Sequence, residues 1–241
     1  MNILIYDSQE KISRAAGNYI SSIVTAKPNA VLGLATGSTP VLTYKAMIEL
    51  YKSGIVDYSK VTTFNLDEYC NLDVKDKNSY HSFMYENLFN SINISDENIN
   101  FLNGNAEDHE KECLEYEQKI EKCGGIDIQL LGIGSNGHIA FNEPQDSFPK
   151  MSHIVALKES TIKDNSRFFN SIDEVPTHAL TMGIGTIMKA KKIIIIALGE
   201  NKAKAVAQLV NGEITPQCPA SVLQFHNDVT LFLDKEAAKL L

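Results

Sequence analysis

Residues 132–144 (GIGSNGHIAFNEP) place an amide, a histidine and a carboxylate in one glycine-rich loop: Asn136, His138 and Glu143. The apolar run before them, residues 126–131, is typical of a buried strand. A lone histidine is usually structural, but here an amide and a carboxylate are close enough in sequence to orient it for proton transfer. The loop therefore predicts an acid–base group. Zinc is the competing interpretation, although no HExxH motif or second closely spaced histidine supports it.

The spacing of Gly132, Gly134 and Gly137 also matches the dinucleotide-binding pattern GxGxxG. That pattern requires a helix that opens at the third glycine and holds the pyrophosphate at its N-terminus. Only six residues separate Gly137 from Pro144, and a proline there disfavours helix continuation. The loop is therefore not interpreted as a nicotinamide site, and no cofactor is expected.

A second loop, LATGSTP (residues 34–40), follows a predicted strand and combines a glycine with hydroxyl side chains. Pro40 is expected at the first helical position, with Thr39 as the N-cap. Backbone N–H groups and the helix dipole make such a turn suitable for phosphate, which would be held by Thr36, Gly37, Ser38 and Thr39. It is not a nucleotide-triphosphate P-loop, because Ser38 stands where that motif requires lysine. An ordinary strand-to-helix turn is the alternative.

A third segment, FNLDEY (residues 64–69), runs from a strand directly into Asp67 and Glu68. Acidic residues near a helix start are common partners of the helix dipole, but a position at the carboxyl end of a strand favours a catalytic carboxylate. Two cations, Arg167 and Lys202, occur later in the chain. Each alone is typical of a solvated surface charge. Together with residues 36–39 they would clamp a phosphate, arginine through its planar fork and lysine as a point charge.

These residues need a framework that brings them together, and the chain alternates short apolar runs with amphipathic segments of helical period. Strands are predicted at residues 3–6, 30–35, 61–65, 126–132, 192–198 and 229–233, and helices at residues 9–24, 41–52, 79–89, 107–122 and 202–210. Gly54, Gly124 and Gly125 stand where helix C-caps favour glycine. The pattern predicts an α/β fold, an open, mostly parallel, doubly wound (Rossmann-like) sheet with helices on both faces. Ligands of such sheets bind beyond the carboxyl ends of the strands.

Composition narrows the class of protein. With 241 residues, 44% of them hydrophobic, the chain is predicted to form a single domain over residues 1–241. A net charge of −8 disfavours nucleic acid or an acidic membrane surface as a partner, whereas a small anionic molecule needs only local cations. The four cysteines form no CxxC pair, and no stretch approaches the ~18 apolar residues of a membrane span. We therefore expect a soluble, cytoplasmic protein, and both a monomer and a homo-oligomer fit this pattern.

Together these motifs resemble those of the glucosamine-6-phosphate deaminase (glucosamine/galactosamine-6-phosphate isomerase) family. The resemblance runs from about residue 3 to residue 234 and includes GLATGSTP, FNLDEY, NINFLNG, GIGSNGHIAFNEP, NSRFF, ALTMGIGT and LGENKA in this order. It implies conversion of glucosamine 6-phosphate and water to fructose 6-phosphate and ammonia, in amino-sugar catabolism. It also implies that no metal, nicotinamide or pyridoxal is required.

The resemblance implies a role for each candidate residue. Asp67 is expected to move a proton between carbons 2 and 1 of the sugar, and His138 and Glu143 are expected to assist ring opening. Arg167, Lys202 and residues 36–39 are expected to hold the phosphate. Many family members have aspartate where this chain has Asn136. Because an amide carries no charge, we expect the relay around His138 to give a shifted pH optimum with activity preserved.

Two further expectations concern the region after the NEP motif. Residues 143–175 are polar, contain two prolines and show no clear element of their own, so we expect a lid over the site. The hexameric, amino-sugar-activated family members have basic effector contacts here, but this chain has His153 and Val155 at the matching positions. No strong allosteric activation is therefore expected.

Two alternative functions fit parts of the pattern. The related 6-phosphogluconolactonases have a similar glycine loop and hydrolyse an ester, but FNLDEY and GHIAFNEP resemble the deaminase forms. A sugar-phosphate sensor of a transcription regulator would carry a helix-turn-helix module. It is disfavoured because the chain begins almost at once with the strand predicted at residues 3–6.

Overall fold

A computed structural model describes the backbone of residues 1–241 and all side chains except those of Ser160, Asp164 and Phe168. The strands are β1 (Asn2–Tyr6), β2 (Val31–Leu34), β3 (Thr62–Asn65), β4 (Asp67–Tyr69), β5 (Ile99–Asn100), β6 (Ile128–Gly132), β7 (His153–Ala156), β8 (His178–Thr181), β9 (Ile193–Ala197) and β10 (Val229–Asp234). The α-helices are α1 (Gln9–Ala26), α2 (Val41–Lys52), α3 (Tyr80–Asn87), α4 (His109–Lys122), α5 (Glu159–Asn165), α6 (Ile184–Ile187) and α7 (Ala203–Asn211). Short 3-10 helices occur at Phe89–Ser91, Asp96–Asn98, Ser166–Phe168, Ile172–Glu174, Glu200–Lys202 and Pro219–Phe225.

Seven strands form one parallel sheet in the order β1-β10-β9-β6-β2-β3-β5. From β2 the chain adds β3 and β5 on one side, whereas from β6 it adds β9 and β10 on the other. Because crossovers between parallel strands are right-handed, this reversal places the connecting helices of the two halves on opposite faces. The predicted open α/β sheet is therefore confirmed. Its switch point lies between β2 and β6, where a ligand cleft is expected.

The burial of the interior strands explains why they appear in the sequence as continuous apolar runs. All five residues of β9 (IIIIA) are buried, as expected for a parallel strand that is covered on both faces. Gly54 and Gly124 have φ values of +73° and +79° just beyond α2 and α4, so their predicted place at the helix C-termini is confirmed. Within the described chain, no helix combines the length and apolar character that a membrane span requires.

A second sheet, which is antiparallel with the order β4-β8-β7, was not predicted. Its strands are only three or four residues long, and Leu66 alone separates β4 from β3, so FNLDEY looks like one continuous strand end. Residues 143–175 contain both β7 and α5. The expectation that this segment has no element of its own is therefore wrong. With four and seven residues, β7 and α5 are too short to leave a clear periodic signal in the sequence.

Candidate active site

A cleft of about 270 Å³ opens at the carboxyl ends of the central strands, at the predicted switch point. The residues that follow β2, β3, β6 and β9 all contribute to its lining. Of the ten candidate residues, eight line this cleft: Thr36, Gly37, Ser38, Thr39, Asp67, His138, Arg167 and Lys202. The other two, Asn136 and Glu143, lie behind His138 and contact it or each other.

The predicted phosphate loop connects β2 to the N-terminus of α2. Gly37 has a φ of +95°, and a Cβ atom there would meet nothing within 4 Å, so the loop faces open space. Pro40 occupies the N-cap position, because its carbonyl accepts the first helical hydrogen bond, from the Tyr44 N–H at 2.9 Å. The prediction of Thr39 as N-cap is therefore wrong by one residue. No described side chain caps α2, and an uncapped helix start that faces a cleft suits an anion.

The buried Tyr44 side chain anchors the first residue of this loop. Its hydroxyl donates a hydrogen bond to the Ala35 carbonyl and accepts one from the Ala35 N–H at 3.2 Å. Both backbone groups of Ala35 are thereby satisfied inside the protein. The end of β2 is fixed directly before the glycine and hydroxyl residues that face the cleft.

The two adjacent acids in FNLDEY have different roles, because successive strand residues point to opposite sides. Glu68 accepts hydrogen bonds from the backbone N–H groups of Tyr69, Tyr80 and His81 at 2.9, 3.0 and 2.8 Å, and so serves the N-terminus of α3. Asp67 lines the cleft and is only 7% exposed. Burial, followed by the charge of Glu68, raises the pKa of Asp67 to about 8. Asp67 is thus a stronger base than an ordinary carboxylate.

His138 is held between a glycine and a carboxylate. Its Nδ1 atom lies 3.3 Å from Glu143 Oε1, and Asn136 Nδ2 donates to Glu143 Oε2 at 2.7 Å. Asn136 Oδ1 also accepts the backbone N–H of His138 at 3.1 Å. A Cβ atom on Gly134 would come within 2.4 Å of the imidazole ring, so only glycine permits this ring position.

Glu143 remains a carboxylate despite its burial. Burial alone raises its pKa, but contacts with His138, Thr161 and Asn136 outweigh this effect and lower the pKa of Glu143 to about 2. The Thr161 hydroxyl donates to Glu143 Oε1 at 2.6 Å. The arrangement therefore keeps a negative charge behind the imidazole of His138.

The two predicted cations reach the cleft from different elements. Arg167 lies in the 3-10 helix Ser166–Phe168 that continues α5, and Lys202 ends the 3-10 helix Glu200–Lys202 that follows β9. Gly199 begins that second turn with a φ of +87°, and its N–H donates to Asp234 Oδ2 at 2.8 Å. Arg167, Lys202 and the loop of residues 36–39 line the same cleft, as the phosphate clamp predicted from the sequence requires.

Several cleft residues were not singled out from the sequence, among them Tyr80, Thr161 and Asn165. Tyr80 is the first residue of α3, and its ring stacks on Phe141 with an interplanar angle of 13°. Thr161 and Asn165 lie four residues apart on α5, and Asn165 Nδ2 donates to the Tyr69 hydroxyl at 2.8 Å. Their i, i+4 spacing upstream of Arg167 is the signal that would have identified them as one helix face. Among the described side chains, no group of three or more His, Cys, Asp or Glu residues is placed to hold a metal ion.

The chain was compared with known proteins. The family model described as glucosamine-6-phosphate isomerases/6-phosphogluconolactonase matches residues 7–232. A glucosamine-6-phosphate deaminase of Clostridium botulinum (strain Alaska E43 / Type E3) is 55% identical over 100% of this chain and 97% of its own length. One of Alkaliphilus oremlandii is 54% identical over 100% of both chains.

Solved structures agree with these matches. A monomeric glucosamine-6-phosphate deaminase superimposes with a TM-score of 0.97 at 46% identity, covering 100% of both chains. The 6-phosphogluconolactonase of Trypanosoma brucei superimposes with a TM-score of 0.75 at 21% identity, covering 100% of this chain and 98% of its own. The second likeness shows that the fold is shared, and no more.

Proposed function

The chain belongs to the family of glucosamine-6-phosphate isomerases and 6-phosphogluconolactonases, and we propose that within it the chain acts as a glucosamine-6-phosphate deaminase. The observation that carries this proposal is the composition of one cleft. Arg167, Lys202 and the loop of residues 36–39 form one end of this cleft and are suited to bind phosphate. The same cleft contains Asp67, a buried carboxyl group of raised pKa, and His138, whose imidazole contacts the Glu143 carboxylate. The substrate is glucosamine 6-phosphate, and the products are fructose 6-phosphate and ammonia.

Phosphate binding positions the sugar. The 6-phosphate would accept hydrogen bonds from backbone N–H groups and hydroxyls of residues 36–39 and would pair with Arg167 and Lys202, which line the same cleft. Binding energy from this remote group holds carbons 1 and 2 against the catalytic side chains.

Ring opening is the first chemical step, because the closed sugar masks its aldehyde. His138 takes the proton of the anomeric hydroxyl and returns a proton to the ring oxygen as the bond between carbon 1 and that oxygen breaks. An imidazole suits this exchange, since it accepts and donates protons near neutral pH. The carboxylate of Glu143, 3.3 Å from Nδ1, stabilises the imidazolium that forms in between.

Proton transfer between carbons then follows. Asp67, in its carboxylate form, removes the proton from carbon 2, which the neighbouring aldehyde has made acidic, and gives it to carbon 1. The amino nitrogen gives a proton to the oxygen of carbon 1, which leaves an imine at carbon 2 and a hydroxyl at carbon 1. Water then adds to the imine to release ammonia and form the ketone. The raised pKa of Asp67 favours proton abstraction, and burial in the cleft keeps the acquired proton from bulk water. The sequence of steps uses side chains and water only.

The decisive experiment incubates the purified protein with glucosamine 6-phosphate and measures ammonia and fructose 6-phosphate in parallel. We expect both products in equal amounts, and we expect Asp67→Asn to abolish turnover while phosphate-dependent binding persists. A parallel incubation with 6-phosphogluconolactone tests the alternative. Lactone hydrolysis without ammonia release would refute the proposal, and unchanged turnover in Asp67→Asn would remove Asp67 from the role of base.

Three narrower proposals accompany this function. Residues 143–175 act as a lid, since this segment supplies Thr161, Asn165 and Arg167 to the cleft. Hydrogen exchange of α5 should slow when substrate or inorganic phosphate binds, and equal exchange with and without ligand would contradict a lid. The chain acts as one domain over residues 1–241, in the cytoplasm. It has no nucleic-acid or membrane partner, which is consistent with its net charge of −8.

A further inference from the structure

Thr161 contacts the acid–base pair from outside the loop that carries it. Its side chain is 8% exposed, and its hydroxyl donates to Glu143 Oε1 at 2.6 Å. The same carboxylate oxygen lies 3.3 Å from His138 Nδ1. A single oxygen of Glu143 therefore faces both the catalytic imidazole and a hydroxyl from α5.

The other partner of Glu143 is local. Asn136, in the same loop as His138, donates to Oε2 at 2.7 Å. Among the described side chains, two of the three contacts of the carboxylate thus come from the loop of residues 132–144 itself, and the Thr161 contact reaches across to a separate helix. A hydroxyl that donates to a buried carboxylate forms a strong, charge-assisted hydrogen bond, so the position of α5 fixes the rotation of the Glu143 carboxylate.

The segment that carries Thr161 also carries Arg167, one of the two cations proposed to bind the phosphate. Arg167 lies six residues beyond Thr161, about 9 Å further along the helical segment. Asn165, between them, donates to the Tyr69 hydroxyl at 2.8 Å and so connects the segment to β4, which begins at Asp67. One helical segment therefore touches the acid–base end and the phosphate end of the cleft.

We propose that Thr161 is a positioning residue that couples phosphate binding at Arg167 to the orientation of Glu143 and, through it, of His138. This inference rests on the proposed function. Phosphate bound at Arg167 would hold α5 in the position in which the Thr161 hydroxyl donates to Oε1, and the carboxylate would then hold the imidazole for ring opening. Substrates without the phosphate leave this contact unsupported, so phosphate contributes to turnover as well as to binding.

The test compares Thr161→Val, Thr161→Ser and the parent, with Thr177→Val as the matched control. Thr177 is exposed, and its hydroxyl pairs with His178 Nδ1 at 3.0 Å instead of with a cleft residue. We expect kcat for ammonia release to fall roughly 10- to 100-fold in Thr161→Val, the range of a hydrogen bond to a charged group, while KM changes little. Serine should restore most of the rate, and Thr177→Val should match the parent.

The pH profile separates a loss of positioning from a change of charge. Thr161→Val should lower the plateau of kcat and leave its acidic limb in place, because the limb follows Asp67, whose pKa is about 8, whereas the pKa of Glu143 is about 2 and lies far below the limb. The ionisable groups near the Glu143 carboxylate are His138 and, across the cleft, Asp67. The ammonium group of Lys158 donates to the carbonyl of Pro144, the residue after Glu143, at 3.0 Å. None of these groups is changed by the substitution, so a lower plateau with the parental acidic limb reports a loss of orientation at His138 and not a change of charge.

Coupling to phosphate is measured with a double-mutant cycle of Thr161→Val and Arg167→Lys. If the two residues act through one segment, the effect of Thr161→Val on kcat should shrink severalfold in the Arg167→Lys background. Additive effects would overturn the coupling, and a parental plateau of kcat in Thr161→Val would overturn the positioning role. If the valine variant does not fold, Thr161→Ala is judged by the same criteria. Absence of ammonia release by the parent itself would instead refute the proposed function.

Discussion

Replacing Asp67 with asparagine is expected to stabilise the fold at alkaline pH at the same time as it removes the proposed base. Burial and the neighbouring charge of Glu68 raise the pKa of Asp67 from 3.8 to about 8. The folded protein therefore holds this proton more tightly than the unfolded chain does. The stabilising contribution of the carboxyl group is complete below pH 3.8 and is lost as the pH rises through about 8.

The size of this loss of stability follows from the two pKa values, 3.8 in the unfolded chain and about 8 in the folded protein. Between them, the free energy of unfolding falls by about 1.4 kcal/mol for each pH unit on account of this group. The loss is about 1.6 kcal/mol at pH 5 and levels off at about 6 kcal/mol above pH 8. Asparagine carries its own cost of burial, which does not depend on pH. The gain in stability from Asp67→Asn should therefore be about 4 kcal/mol larger at pH 9 than at pH 5.

The assay is urea denaturation followed by far-ultraviolet circular dichroism at both pH values, since the chain has no tryptophan. Asp146→Asn, the same substitution at an exposed position, is the control for the chemical change itself. A difference of less than about 1 kcal/mol between the two pH values would refute the reasoning, because Asp67 would then not be held with a raised pKa. The catalytic role and the stability penalty would have the same cause, the burial of this carboxyl group.

Three further results are expected. Asn136→Asp would place two carboxylates in contact where an amide now donates to Glu143 at 2.7 Å, so the acidic limb of the pH–rate profile should shift to higher pH. Superimposable profiles of variant and parent would contradict this. Gly134→Ala would put a Cβ atom 2.4 Å from the His138 ring and should lower kcat at least about tenfold. The loss should be much smaller in Gly132→Ala, where a Cβ atom meets nothing within 4 Å. Equal losses in the two variants would argue against a fixed ring position. N-acetylglucosamine 6-phosphate should not raise the rate at low substrate concentration, and a clear rise would show an effector site that the sequence did not predict.

Much of the architecture could be predicted because its signals are local. Six of the seven strands of the central sheet were predicted from short runs rich in apolar residues, whereas the two-residue β5 was not. A residue placed directly after such a strand must emerge at one edge of a parallel sheet. That rule alone brings Thr36, Asp67, His138 and Lys202 to one cleft, and the structure places them there. The roles assigned to them stay predictions until the variants are measured.

The signals that failed were those that depend on distant partners. Nothing in FNLDEY distinguishes Asp67 from Glu68, because the choice between cleft and helix N-terminus depends on which side of β4 meets α3. Thr161 looks like any polar helix residue until Glu143, 18 positions earlier, is found at 2.6 Å from its hydroxyl. The antiparallel sheet was missed for the same reason, since strands of three residues gain their stability from pairing and not from their own composition.

The antiparallel sheet ties together Asp67 and His138, the two proposed catalytic groups. Thr181 in β8 pairs with Asp67 of β4, and its hydroxyl accepts the N–H of Phe141, three residues beyond His138, at 3.1 Å. The Leu66 carbonyl, just before Asp67, accepts the N–H of Met182 at 2.7 Å, so the same strand end is held twice. A reaction that opens a ring at carbon 1 and moves a proton between carbons 1 and 2 needs its base and its acid–base pair at a fixed separation. A flexible loop alone would not provide this, and the antiparallel pairing of β4 with β8 supplies it by tying both groups to one strand.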